Sequence, residues 1–221
     1  VGKGSTNVTV KWDGAPAVFA GQNPENGKFF VATKSLFNKT PKINYTNKDI
    51  SNNHGSGGLA DKLKVALKHL PKLGMEGIFQ GDIMFTKDDL AQEDIDGVTS
   101  LTFTPNTITY AVPDDSDLAS DIRKASIGVV WHTEYTGATI ADLSAKFGVD
   151  ASKFKTTKSV WSQDAGVKNV SSVAGLGKSD IKKIDNQINM LKGSIKKAGG
   201  FFNMIAREKT ILSLGGQLKI F

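Results

Sequence analysis

Apolar side chains near the start of the chain recur at every second position. In "VTVKWDGAPAVFAG" (8–21), Val8, Val10 and Trp12 fall on one side of an extended chain, while Thr9, Lys11 and Asp13 fall on the other. The pattern predicts strands over 7–13 and 16–21, joined by a turn at Asp13-Gly14. A second turn in "NPENGK" (23–28) leads to a strand in "FFVATKS" (29–35). The polar stretch 38–58 has the composition of a long surface loop. The period then changes to three and four: Leu59, Leu63, Ala66, Leu67 and Leu70 share one stripe of a predicted helix that ends at Pro71.

Further strands are expected in "EGIFQGDIMF" (76–85), in "SLTFTPNTITYAVP" (100–113) as a pair or one bent strand, and in "IGVVWHTEYTG" (127–137). Helices are expected over 116–125, with Ser116 as its cap, and over 139–148. The last part reads as helical, with Ile181, Ile184, Ile188, Leu191 and Ile195 at steps of three and four, a break at Gly199-Gly200 and a resumption after it. Early strands joined by tight turns, with helices between and late, predict an α+β domain built mainly on antiparallel sheet. We read residues 1–221 as one domain. The missing initiator methionine and the strand-like ending "GGQLKIF" suggest a piece of a longer chain.

Composition narrows the chemistry. The 221 residues contain no cysteine, which excludes disulfides, thiol nucleophiles and thiolate-held metals from this stretch. No apolar run approaches the roughly 18 residues of a membrane span. The formal net charge is +6, carried mostly by lysine, which favours a polyanionic partner. Neither G-x-G-x-x-G nor G-x-x-x-x-G-K-[ST] occurs, so dinucleotide and P-loop sites are not indicated. His132 and Glu134 alternate onto one strand face at metal-ligand spacing, but no third ligand accompanies them.

The most suggestive group is Lys11. A strand lysine beside a glycine turn can be held in a pocket where desolvation and neighbouring cations favour its neutral, nucleophilic form. Lys11-Trp12-Asp13-Gly14 resembles the K-x-D-G motif of the covalent nucleotidyltransferases, the ATP-dependent DNA and RNA ligases and the mRNA capping enzymes. Other elements follow in that family's order: Lys34 in "FVATKS", Gly81-Asp82 in "FQGDIMF" and Tyr110 in "TITYAVP". The stretch also resembles uncharacterised ligase-like proteins of tailed phages.

The resemblance covers about residues 7–113 and implies an adenylation-domain fold with Lys11 as the covalent nucleophile. It implies further that Thr9, Asp13, Gly14, Lys34, Asp82 and Tyr110 bind the nucleotide, Asp82 through Mg²⁺ and Tyr110 by stacking on the base. ATP is expected in preference to GTP, with nucleic-acid strand ends as substrate, RNA ahead of DNA, in the cytoplasm and away from membranes. The pattern departs from the family at Thr9, where an acid is usual, at Ala15-Pro16-Ala17, where DNA ligases carry arginine, and in the closing motifs. Those departures favour the alternative of a catalytically degenerate relative that binds nucleic acid or a protein.

Overall fold

A computed structural model describes residues 9–10, 12–166, 168–169 and 178–207. The elements in chain order begin with β1 (Thr9–Val10), β2 (Ala17–Gln22), β3 (Phe29–Ala32), α1 (Asn47–His54), α2 (Gly58–His69) and β4 (Ile78–Thr86). There follow β5 (Ala91–Ile95), β6 (Val98–Phe103), β7 (Tyr110–Pro113), α3 (Asp117–Lys124) and β8 (Ile127–Thr136). The last are β9 (Ser144–Phe147), β10 (Val160–Asp164), β11 (Lys168–Asn169) and α4 (Lys178–Arg207). The architecture is α+β. Contacts divide the chain into two compact units: one spans Val10–Lys168, and the described part of the other is Thr9, Asn169 and α4. Among the described residues no helix is long and apolar enough to cross a membrane.

The larger unit is organised by a six-stranded sheet in the order β10-β8-β4-β2-β3, with β9 also on β8. The predicted neighbours β2 and β3 are paired antiparallel, Phe19 facing Ala32. β4 lies on the other side of β2 and puts Asp82 opposite Ala17. β8 shares one edge between two partners: β10 runs parallel to Ile127–Trp131, and β9 antiparallel to Thr133–Thr136. The single parallel pair needs no crossover helix, because the chain returns through β9 and two short 3-10 turns.

Alternation gives this sheet two unlike faces. Val18, Ala20, Val31, Phe79, Ile83, Val129 and Trp131 turn to one side, where Leu63, Ala66 and Leu70 seal them into the main core. On the other side two smaller apolar clusters form. Phe19, Phe30, Ala32 and Ile78 gather with Leu36 and Ile140 at one end. Met84, Phe85 and Val130 gather at the other with Leu101, Phe103, Ala119 and Ile122 from β6 and α3. A β-bulge between Ile83 and Phe85 turns Met84 and Phe85 to the same side.

Several expectations change. The 38–58 stretch contains α1, nucleated by a capping box in which Thr46 accepts from the Asp49 amide and the Asp49 carboxylate accepts from the Thr46 amide. Of the stripe expected around α2, Leu63, Ala66 and Leu70 are buried, but Leu59 is 40% exposed and Ala60 is buried in its place. The expected helix over 139–148 is a 3-10 turn at Ile140–Asp142 followed by β9, since ladder bonds to the free edge of β8 outweigh a weak helical period. α4 runs unbroken through Gly199-Gly200 to Arg207. A pair of glycines costs a helix only about 2 kcal/mol, which does not stop a 30-residue helix.

Candidate functional site

The segment after Lys11 is fixed to the open side of the sheet. Ala15 donates its amide to the Ile83 carbonyl, and Ile83 donates its amide to the Pro16 carbonyl, so the chain enters β2 already paired with β4. This lays Gly14 directly on Asp82. A Cβ at position 14 would stand 2.6 Å from the Asp82 Cβ and 2.8 Å from the Met84 sulfur, so only glycine lets the two segments touch. Gly81 has a matching role, because a Cβ there would meet the Val130 carbonyl at 2.6 Å and the Trp131 ring at 2.9 Å.

Asp13 is held from the loop before β7. Its carboxylate accepts from the Asn106 side-chain amide at 2.9 Å and from the Thr107 and Ile108 backbone amides at 3.1 and 3.3 Å. The Asn106 hydrogen bond, with the Thr107 amide next, holds its pKa below the ordinary carboxylate value. The Asp13 amide in turn donates to the Tyr110 hydroxyl at 2.8 Å. Asp13 is therefore an anchor that ties the motif segment to β7.

Asp82, half-buried, lies between the two smaller apolar clusters, on a polar stretch of the sheet shared with Gln80, His132 and Thr133. The His132 Nε2 is 3.8 Å from the Asp82 Oδ1, too far for a direct hydrogen bond. A second β-bulge explains this neighbour: Gln80 pairs with Thr133 and Gly81 with Trp131, leaving His132 as the extra residue and turning it toward Asp82. The bulge also separates His132 from Glu134, which pairs with Phe79 and lines a different cavity with Glu76 and Phe154. The shared face expected for His132 and Glu134 is thus overturned by one inserted residue. Among the described residues no cluster of three acidic or histidine side chains is arranged to hold a metal.

Tyr110 is engaged by aromatics. It stacks against Trp12 with centroids 5.6 Å apart and against Phe103 at 5.3 Å, and Trp12 also meets Trp161 edge-on at 6.1 Å. Its hydroxyl is occupied by the Asp13 amide. A nucleobase stacking on Tyr110 would have to compete with those rings. Lys34 is exposed and opens a 3-10 turn (Lys34–Phe37) rather than sitting in β3. The register of β3 carries the chain toward the end of the sheet where Ala17 faces Asp82. Thr9 belongs to β1 by its backbone. Lys11 lies outside the described residues.

The structure therefore brings Asp13, Gly14, Asp82 and Tyr110 into one neighbourhood. His132 and Asn106 join them unforeseen as site residues: neither a bulge nor a loop anchor leaves a periodic signal. Beside His132 the edge of β8 opens where β10 ends and β9 begins, forming a cavity of about 340 Å³ lined also by Phe147, Asp150 and Asp164.

No curated protein and no solved structure matches this chain. A family model does match, over residues 1–221, and the chain accordingly belongs to DUF6267, a family of unknown function.

Proposed function

We propose that the protein is a covalent nucleotidyltransferase of the polynucleotide-ligase type, with Lys11 as nucleophile and the polar stretch at Asp82 as the nucleotide site. The observation that carries this reading is the contact of Gly14 with Asp82. Two segments 68 positions apart, each singled out by its residue types, meet backbone to side chain. Lys11 precedes Gly14 by three residues in the same four-residue motif.

The chemistry is an in-line displacement. The Lys11 amine, once neutral, attacks the α-phosphorus of ATP; a P–N bond forms, the P–O bond to pyrophosphate breaks, and the amine gives up its proton. The nucleotidyl group then passes to a 5′-phosphate, and a 3′-hydroxyl displaces AMP to join the strand. RNA ends are the preferred substrate in this reading. Exposed lysines, Lys34 among them, supply the cationic surface that a phosphate backbone requires.

Asp82 fits a divalent cation of the Mg²⁺ kind, which takes one or two protein carboxylates and completes its shell with phosphate oxygens and water. Such an ion, when bound, neutralises phosphate charge. Asp82 would give a carboxylate oxygen to that ion, and Asp13 ties its own segment to Asn106 and Tyr110.

Incubation with α-labelled ATP or GTP and Mg²⁺, followed by a denaturing gel, tests the reading. Label retained on the wild type and absent from Lys11→Ala is the expected result. A wild type that takes up label from neither nucleotide overturns it, leaving the same polar stretch as a binding site without covalent chemistry.

A further inference from the structure

α4 presents a different feature. Ile181, Ile184, Ile188, Leu191, Ile195 and Ala198 follow one another at steps of 3, 4, 3, 4 and 3. Alternating steps of three and four are the heptad pattern, and they make a narrow seam suited to another helix of the same period. The seam is solvent-facing: Ile184 is 36% exposed, Ile188 40%, and Leu191 and Ile195 61% each. α2, which packs on a sheet, buries Leu63 and Ala66 completely. Four large aliphatic side chains in line on a helix surface are an interface pattern.

Charge selects the occupant. With Ile181, Ile188 and Ile195 at the first heptad position, Asp185 and Lys192 both take the fifth, the flank of the seam. When two identical helices pack antiparallel with Ile188 opposite Leu191, Ile184 falls opposite Ile195 and Ile181 opposite Ala198. Asp185 of each copy then faces Lys192 of the other, twice by symmetry, and Gln187 faces Ser194. In a parallel pair Asp185 would face position 180 of its partner, which is also an aspartate. We propose that α4 pairs with the α4 of a second copy of this chain as an antiparallel two-helix coiled coil centred between Ile188 and Leu191. Lys182, Lys196 and Lys197 fall outside the seam, where two positively charged helices can keep them in water.

Sedimentation velocity on the full chain across a concentration series tests this independently of the nucleotide reading. The wild type is expected to dimerise, and Ile188→Asp to abolish the dimer. Asp185→Lys and Lys192→Asp, both at exposed positions that the fold does not depend on, should each weaken it about tenfold. Combining the two reversals should restore it. A wild type that stays monomeric at every concentration overturns the proposal, as does a dimer indifferent to Ile188→Asp. A dimer that ignores both single reversals overturns the antiparallel register.

Discussion

On one face of the central sheet, Val18, Ala20, Val31, Ile83, Val129 and Trp131 lie under α2 in a continuous apolar layer. On the other face the apolar residues part into two clusters, and Gln80, Asp82, His132 and Thr133 occupy the ground between them. Even a half-buried carboxylate costs desolvation, so a sheet built only for stability would favour aliphatic side chains there. The first face is apolar throughout, while the second keeps polar side chains between two apolar clusters.

Substitutions can separate the two faces. The largest loss of stability is expected from Leu63→Ala, which empties a fully buried site under α2. About 2–5 kcal/mol should be lost in denaturant unfolding, with label transfer preserved wherever the variant is folded. Gly14→Ala comes next. Its new methyl group meets Asp82 and Met84, so about 1–3 kcal/mol of strain is expected. Here the loss of function should be the greater effect, about a hundredfold in label transfer, because the motif segment is pushed away from Asp82.

Asp82→Asn sharpens the contrast in the opposite sense. Unfolding should change by no more than about 1 kcal/mol, since the His132 imidazole, 3.8 Å from the Asp82 carboxylate, is too far away for a direct hydrogen bond. Label transfer, and any dependence of nucleotide binding on Mg²⁺, should be lost. Equal damage to stability and labelling would mean that Asp82 is a structural residue.

The smallest effect is one of pH. The Asp13 pKa is held below its ordinary 3.8 by hydrogen bonds from Asn106 and Thr107. The folded state therefore prefers the carboxylate. That preference stabilises the loop above the ordinary value and is lost as pH falls through the lower folded value. Wild type and Asp13→Asn should differ in stability at neutral pH and converge in strong acid, as thermal unfolding at a series of pH values would reveal.

The sequence carried the site's contents better than its shape. Gly14 and Asp82 were picked out by resemblance to an ordered set of motifs, whereas the expected turn joining strands 7–13 and 16–21 is not formed: residues 12–14 carry no turn, and β1 pairs with β11. The paired strands β2 and β3 were legible from apolar alternation and the turn between them. His132 was legible as a candidate ligand paired with Glu134, not as a neighbour of Asp82. Its turn toward Asp82 depends on a bulge that appears when β8 is aligned with β4. Tyr110 was visible as an aromatic, but its engagement with Trp12 and Phe103 follows from how three distant segments pack. α1 was hidden because Ile50 is its one buried residue and asparagine-rich helices carry little periodic signal.

The proposed function requires the Lys11 amine to become covalently joined to a nucleotide. Its most direct test is mass spectrometry of proteolytic peptides after incubation with ATP and Mg²⁺ and denaturation, comparing the wild type with Lys11→Arg. Arginine stays protonated and cannot attack phosphorus, yet keeps the positive charge. The account predicts an AMP group on Lys11 in the wild type and none anywhere in Lys11→Arg, with ATP binding retained in both. An AMP group on another lysine, or none on wild type that binds ATP, would contradict it.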